Sequence, residues 1–204
     1  MEASRVKQPL VETHEPTETH PATEGLDLRK LAMWVFLSSE VIFFGSLIAT
    51  FLVYKDRSLT GPGQELLNIP LTGLNTFILI ISSLTMVLSL AAAIQDRQRQ
   101  LKLWLLATIV LGTSFLSIQG YEYVKLWEEG LTPTVNLFGS AFYTLTGFHG
   151  THVLIGVVIL SGVLLKALVG GFGPKHYLPI ELAGLYWHFV DLVWIVIFTL
   201  VYLI

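Results

Sequence analysis

The sequence contains no cysteine among its 204 residues. Disulfides, thiolate zinc sites, iron–sulfur clusters and covalently attached c-type haem all require cysteine, so this chain cannot build any of them. The cellular compartment therefore has to be inferred from topology rather than from redox chemistry.

Charged residues are also scarce. They make up 13% of the chain, whereas soluble domains carry about 25%. Hydrophobic residues reach 53%, and the formal net charge of −3 gives no reason to expect a nucleic-acid partner. This composition predicts an integral membrane protein.

Residues 1–27 differ from the rest of the chain because they are rich in Glu, Thr, Pro and His. Such a segment buries too little apolar surface to offset its ordering entropy, and it is predicted to be a disordered polar tail. We interpret His14 and His20 as solvated side chains of this tail rather than metal ligands. The membrane domain is expected to occupy residues 28–204.

Five apolar runs are long enough to cross a hydrocarbon core, which takes about 20 residues of helix. Short connectors separate them, so neighbouring helices must pack side by side. The predicted fold is an all-α integral membrane bundle of five transmembrane helices. The spans lie at about residues 31–53, 71–94, 103–123, 138–165 and 182–204.

The lysines and arginines between the spans predict the orientation. With the N-terminus inside, nine of them lie on the inner side, and only Lys55, Arg57 and Lys125 lie on the outer side. The positive-inside rule therefore predicts that the N-terminus is inside and the C-terminus outside.

Ionisable residues inside the spans are the candidate functional groups, because charges at membrane depth must face protein or water. Helix rise places five of them in one slab on the middle-to-inner side, which predicts a buried polar cluster. Glu122, near the end of an outward-running span, is expected at the outer surface instead. The cluster consists of Glu40, His149, His152, His188 and Asp191.

The spacing within the cluster pairs its members. His149 and His152 share a face of the fourth helix, as His188 and Asp191 do on the fifth. A carboxylate beside a histidine can hold its tautomer or stabilise its cation. Gly147 and Gly150 add small residues of the kind that allow close helix contact in membranes.

Three hypotheses are compatible with this cluster. It could bind a redox metal or haem, although two histidines on one helix face cannot be the two axial ligands of one haem, and no Glu-x-x-His pair of the di-iron type is present. It could form a proton or ion path through an independent transporter, although five spans show no inverted repeat. It could instead lock the bundle of an accessory subunit.

Long motifs resemble one known family. GFHGTHVLIG at 147–156 and YWHFVDLVWIVIFTLVYLI at 186–204 resemble the two closing helices of subunit III of haem–copper oxidases. WVFLSSEVIFF at 34–44, with its glutamate, and GYEY at 120–123 resemble earlier helices of that subunit. The resemblance covers residues 30–204 and points to the short five-helix bacterial form, which lacks the first two helices of the long form and hence one wall of its lipid cleft.

The resemblance implies a subunit without catalytic residues or redox centres of its own. Haem and copper are expected in partner subunits, and the complex would reduce oxygen and pump protons across the bacterial plasma membrane. The implied partners are subunit I by direct packing, subunit II, small subunits and membrane lipids. Glu40 matches the buried carboxylate of the family, and Glu122 and the other cluster residues match its recurrent polar positions.

Two residues bear on the electron donor. Phe148 and Val190 resemble the cytochrome c branch of the family, whereas quinol oxidases tend to have GTHG and WHFLD at these places. Arg29 and Lys30 at the inner edge are interpreted either as contacts to anionic lipid headgroups or as topological charge. Trp187 and Trp194 are expected to contact lipid or an interface, and bound phospholipid is expected.

Overall fold

A computed structural model of the chain describes residues 27–55, 61–174 and 176–204. The predicted tail, with His14 and His20, lies outside the described residues except for Asp27. Asp27 is the N-cap of the first helix, because its side chain accepts a hydrogen bond from the Arg29 backbone N–H at 2.9 Å.

Five long helices form the protein, and the described residues include no strand. Each predicted span corresponds to one helix, so the all-α five-helix prediction is confirmed, and all five are long and apolar enough to cross a membrane. A 3-10 turn at Gln64–Leu66 precedes the second helix, and a π-helical turn at Thr199–Leu203 continues the fifth. The helices are α1 (Leu28–Tyr54), α2 (Ile69–Ile94), α3 (Gln98–Glu128), α4 (Leu137–Leu168) and α5 (Leu178–Phe198).

Local sequence signals set where the helices begin. The side chains of Asn68 and Asn136 cap α2 and α4 by accepting hydrogen bonds from Leu71 N and Gly139 N. Pro179 stands in the first turn of α5, where its missing N–H leaves no intrahelical bond unmade.

The helices run alternately up and down. At one end, Lys30 at the start of α1 meets Glu181 at the start of α5. At the other, Gln64 donates a hydrogen bond from Nε2 to the Val201 carbonyl at 3.0 Å, which joins the α1–α2 connection to the end of α5. We call these the Lys30 end and the opposite end of the bundle.

The fifth helix is central and the first is peripheral. In an apolar 18-residue stretch of α5, half of the residues are buried inside the bundle, whereas 17% are buried in the corresponding stretch of α1. Helix α5 packs against α2, α4 and α1, while α1 packs mainly on α4 and α5. The longest motifs lie on α4 and α5, which pack against each other and against the remaining helices of the bundle.

Candidate functional site

The five predicted cluster residues lie at similar depth. Each stands within about four residues of the midpoint of its own helix, which is ~6 Å of helix rise. The structure nevertheless separates them into three environments rather than one connected cluster.

Glu40 and His152 form the first environment, between α1 and α4. His152 Nε2 lies 3.2 Å from Glu40 Oε2, and Nδ1 lies 2.8 Å from the carbonyl of Phe148. A carbonyl can only accept, so Nδ1 carries a proton. The Nε2–Oε2 contact then holds one further proton, carried either by the carboxyl or by the imidazole. The pair can therefore hold and exchange a proton at mid-membrane depth.

The Glu40–His152 pair opens onto an apolar groove of about 570 Å³ between α1, α4 and α5. The Tyr186 hydroxyl donates to the His152 carbonyl at 3.0 Å and closes one side of the pair. The ring of Phe44 packs 4.9 Å from that of His152 and covers another. The other lining residues are Met33, Phe36, Ile155, Ile159, Val163, Pro179, Leu182 and Ala183.

His149 is in a different environment although it lies three residues from His152. Its side chain is fully buried, with the ring stacked 4.8 Å from Trp194 and flanked edge-on by Phe44 and Phe115. Neither ring nitrogen has a hydrogen-bond partner among the described residues. His149 therefore packs as an aromatic ring and forms no hydrogen bond with the other cluster residues.

His188 and Asp191 form the third environment, between α5 and α2. His188 Nδ1 lies 3.0 Å from the Ser83 hydroxyl, whereas Asp191 Oδ1 is buried without a hydrogen-bond partner among the described residues. His188 therefore contacts α2 through Ser83. Ser83 was not predicted from the sequence, because the neighbouring serines Ser82 and Ser83 lie in an apolar run and no pattern there indicates which of them contacts another helix.

The two histidines of α4 are enclosed by other groups of the bundle. Both nitrogens of His152 are engaged by Glu40 and a carbonyl, and aromatic rings enclose His149. Within residues 27–55, 61–174 and 176–204, no group of three or more His, Asp or Glu side chains is arranged to hold a metal ion.

The prediction for Glu122 was wrong in one respect. It lies toward the opposite end of α3, but its side chain is 4% exposed rather than at the surface. The Thr72 hydroxyl donates a hydrogen bond to Glu122 Oε1 at 2.9 Å, and the Tyr202 hydroxyl donates one to Oε2 at 3.2 Å. Glu122 therefore links α2, α3 and the end of α5 inside the bundle.

The expectation of lipid contact was also wrong for both tryptophans. Trp187 and Trp194 are each 1% exposed, and their indole N–H groups donate to Ser82 and Thr76 of α2 at 3.0 Å. Apolar composition does not distinguish a core-facing tryptophan from a lipid-facing one in a membrane helix.

The two basic residues at the Lys30 end differ in their surroundings. Lys30 Nζ lies 2.7 Å from Glu181 Oε1, whereas Arg29 is exposed and has no ion pair among the described residues. Lipid contact stays a prediction for both residues.

A further polar network lies between α3 and α4, and no pattern in the sequence indicates it. Gln119 Nε2 donates to the Thr146 carbonyl at 3.0 Å and approaches the Tyr123 hydroxyl at 3.3 Å. The hydroxyls of Tyr123 and Thr146 are 2.7 Å apart. Gly150 makes room for the Gln119 amide, since a Cβ there would lie 2.8 Å from its Oε1. The close contact expected of GFHGTH is confirmed at this glycine.

Comparison with known proteins identifies the family. Residues 10–204 match the family model described as cytochrome c oxidase subunit III, so the match begins within the predicted tail. Cytochrome c oxidase subunit 3 of Bacillus sp. (strain PS3) is 38% identical over 191 residues, covering 91% of this chain and 90% of the relative. Quinol oxidase subunit 3 of Bacillus subtilis is 36% identical, covering 92% of each chain. Cytochrome c oxidase subunit 3 of Synechocystis sp. is 39% identical, covering 100% of this chain and 88% of the relative.

The family match, the resemblance of the helix motifs and the five spanning-length helices agree with one another. The chain is a multi-pass membrane protein that belongs to the cytochrome c oxidase subunit III family.

Proposed function

We propose that the chain is a non-redox accessory subunit III of a proton-pumping haem–copper terminal oxidase in the bacterial plasma membrane. It packs on the catalytic subunit I, stabilises it and supports proton uptake, in a complex with subunit II and small subunits. The family match over residues 10–204 carries this proposal. Haem and copper belong to the partner subunits, and this chain contributes no catalytic residue.

The Glu40–His152 pair supports a role in proton uptake. It places an imidazole and a carboxyl 3.2 Å apart, close enough to pass a proton between them, and it borders an open groove. A proton-holding pair placed beside the uptake path of subunit I could supply protons to it, and the same pair ties α1 to α4. The N-inside, C-outside orientation would place this groove on the middle-to-inner side of the membrane.

Cytochrome c is the proposed electron donor of the complex. Phe148 and Val190 carry this choice, as in the GFHG and YWHFVD forms of the cytochrome c branch. A quinol donor is the second candidate, because Bacillus subtilis quinol oxidase subunit 3 matches at 36%, close to the 38% of the Bacillus sp. (strain PS3) cytochrome c oxidase subunit.

Co-purification tests the assignment. An affinity tag on this chain, with the membrane solubilised in mild detergent, should recover a haem-containing multi-helix partner in about equal amount. Oxygen uptake by that material should respond to reduced cytochrome c, and a response to quinol alone would move the chain to the second candidate. Recovery without any haem partner would refute the assignment.

Two further measurements separate the remaining alternatives. The isolated chain should contain no stoichiometric haem or metal, and a bound equivalent would overturn the non-redox assignment. In liposomes, the chain alone should move neither protons nor ions. Transport by the chain alone would favour the independent transporter.

A further inference from the structure

A groove of about 350 Å³ runs along the surface where α3 meets α4, and we call it the α3–α4 groove. It is separate from the groove beside Glu40, which lies between α1, α4 and α5. Its residues are Leu116, Gln119, Gly120, Tyr123, Gly147, Gly150, Thr151 and Leu154.

Gln119 forms the floor of this groove, and its amide orientation is fixed. Nε2 donates to the Thr146 carbonyl, which can only accept, so the amide cannot be flipped. Oε1 then lies on the side of Gly150, where a Cβ would come within 2.8 Å of it. The side chain is 5% exposed, and Oε1 accepts no hydrogen bond from any residue that the structure describes. Gln119 is also one of the residues that line the groove.

The depth of Gln119 makes this acceptor significant. It stands six residues from the midpoint of α3, about 9 Å of helix rise, and so within a hydrocarbon core of about 30 Å. Hydrocarbon tails carry no donor, and a polar group left unpaired in an apolar medium is unfavourable. A donor from another protein segment would satisfy it.

The walls of the groove are shaped for close approach of another backbone. Gly120 and Gly147 border it, with nothing within 4 Å of a Cβ at Gly120 and only the Tyr123 hydroxyl, at 3.9 Å, near one at Gly147. Their lack of side chains is therefore not required by packing within this chain. Small residues that leave space on a membrane helix are typical of contacts with another helix.

We propose that the α3–α4 groove is the docking site for a transmembrane helix of another oxidase subunit, which donates a hydrogen bond from a hydroxyl or amide side chain to Gln119 Oε1. The proposal rests on the function proposed above. Hydrogen-bond complementarity selects a helix with a polar donor over an acyl chain, and the two open glycines allow its backbone to come near.

Leucine substitutions test the docking. Gly120→Leu and Gly147→Leu extend a side chain into the groove from positions where a Cβ meets nothing closer than 3.9 Å, and leucine favours helix more than glycine does. Gly162→Leu is the matched control, because Gly162 is an exposed glycine of α4 with open space that does not line the groove. We expect the first two to lower the amount of partner subunit recovered with the chain about tenfold. Gly162→Leu should recover the wild-type amount.

Cross-linking identifies the occupant. The chain has no cysteine, so Gly120→Cys introduces a single thiol for a photoactivated maleimide reagent in the intact complex. An adduct with a different subunit supports the proposal. An adduct with lipid only, with a second copy of this chain, or with nothing overturns it, as does unchanged partner recovery by both leucine variants. If the wild-type chain recovers no haem partner, the proposed function is refuted as well. If the wild-type chain and Gly162→Leu recover the partner normally and both groove variants do too, only the docking site is refuted.

Discussion

His152 Nε2 lies 3.2 Å from Glu40 Oε2, and this contact joins peripheral α1 to α4 at mid-membrane depth. Because His152 Nδ1 donates to a backbone carbonyl, the pair shares a single proton across that contact. The two partners are about equally enclosed, with 15% and 16% of their side chains exposed. Both a brace between helices and a proton-exchange site are consistent with this geometry, and they differ in what a neutral substitute for Glu40 would preserve.

Glu40→Gln should preserve assembly and initial turnover. The glutamine amide can still donate to His152 Nε2, so α1 stays attached to α4. Glu40→Leu leaves that nitrogen unpaired and should lower the free energy of unfolding by about 1–3 kcal/mol. Haem recovered per chain and thermal unfolding in detergent measure the two effects. If Glu40→Gln assembles normally but loses activity progressively with turnover, Glu40 exchanges protons and is more than a brace.

The indole of Trp187 rests against two glycines. A Cβ at Gly112 would lie 2.5 Å from the ring, and one at Gly156 would lie 2.8 Å from it. Gly112→Ala and Gly156→Ala should therefore each destabilise the bundle by about 1–3 kcal/mol, even though alanine favours helix. The measurement is the midpoint of thermal unfolding in detergent. Gly162→Ala is the control, and it should be neutral or stabilising because its space is open. Equal midpoints for all three variants would contradict the close packing.

The sequence predicts the helices well because the length of each apolar run largely determines them. Apolar run length sets where a span can lie, and asparagine or aspartate caps mark the beginnings of α1, α2 and α4. Counting residues along each span also predicts how far a residue lies from the ends of its helix, and the ionisable cluster residues lie near the middle of their helices.

Rotation about the helix axis was harder to predict. His149 and His152 share a face by spacing, yet one is fully buried among aromatic rings and the other faces the α1 contact. In a soluble helix, polar residues mark the outward face, but lipid is as apolar as the core, so that signal is lost. The same reason explains why Trp187, Trp194 and Glu122 were expected at surfaces that they do not reach.

Glu122 is predicted to act together with Tyr202. Tyr202→Phe removes a donor to a carboxyl that is 4% exposed, and should lower the free energy of unfolding by about 1–3 kcal/mol. Tyr121→Phe is the control, since Tyr121 is 53% exposed, and it should have little effect. A double-mutant cycle with Glu122→Leu, which removes the acceptor, should give a coupling energy of at least about 0.5 kcal/mol, as expected for residues in direct contact. Strict additivity of the two changes would show that the hydrogen bond contributes nothing.

Arg29 and Lys30 are neighbours, but only Arg29 is expected to affect the amount of bound lipid. Glu181 already neutralises Lys30 at 2.7 Å, whereas the exposed Arg29 has no ion pair among the described residues. An anionic headgroup gains about 1 kcal/mol from a basic residue near the membrane surface, so Arg29 is the residue expected to hold it. Arg29→Gln should therefore reduce the anionic phospholipid that co-purifies with the chain, as quantified by mass spectrometry. Lys30→Gln, paired with Glu181→Gln to avoid a lone carboxylate, should leave that amount unchanged. Equal lipid loss in both variants would assign headgroup binding to the two positions together.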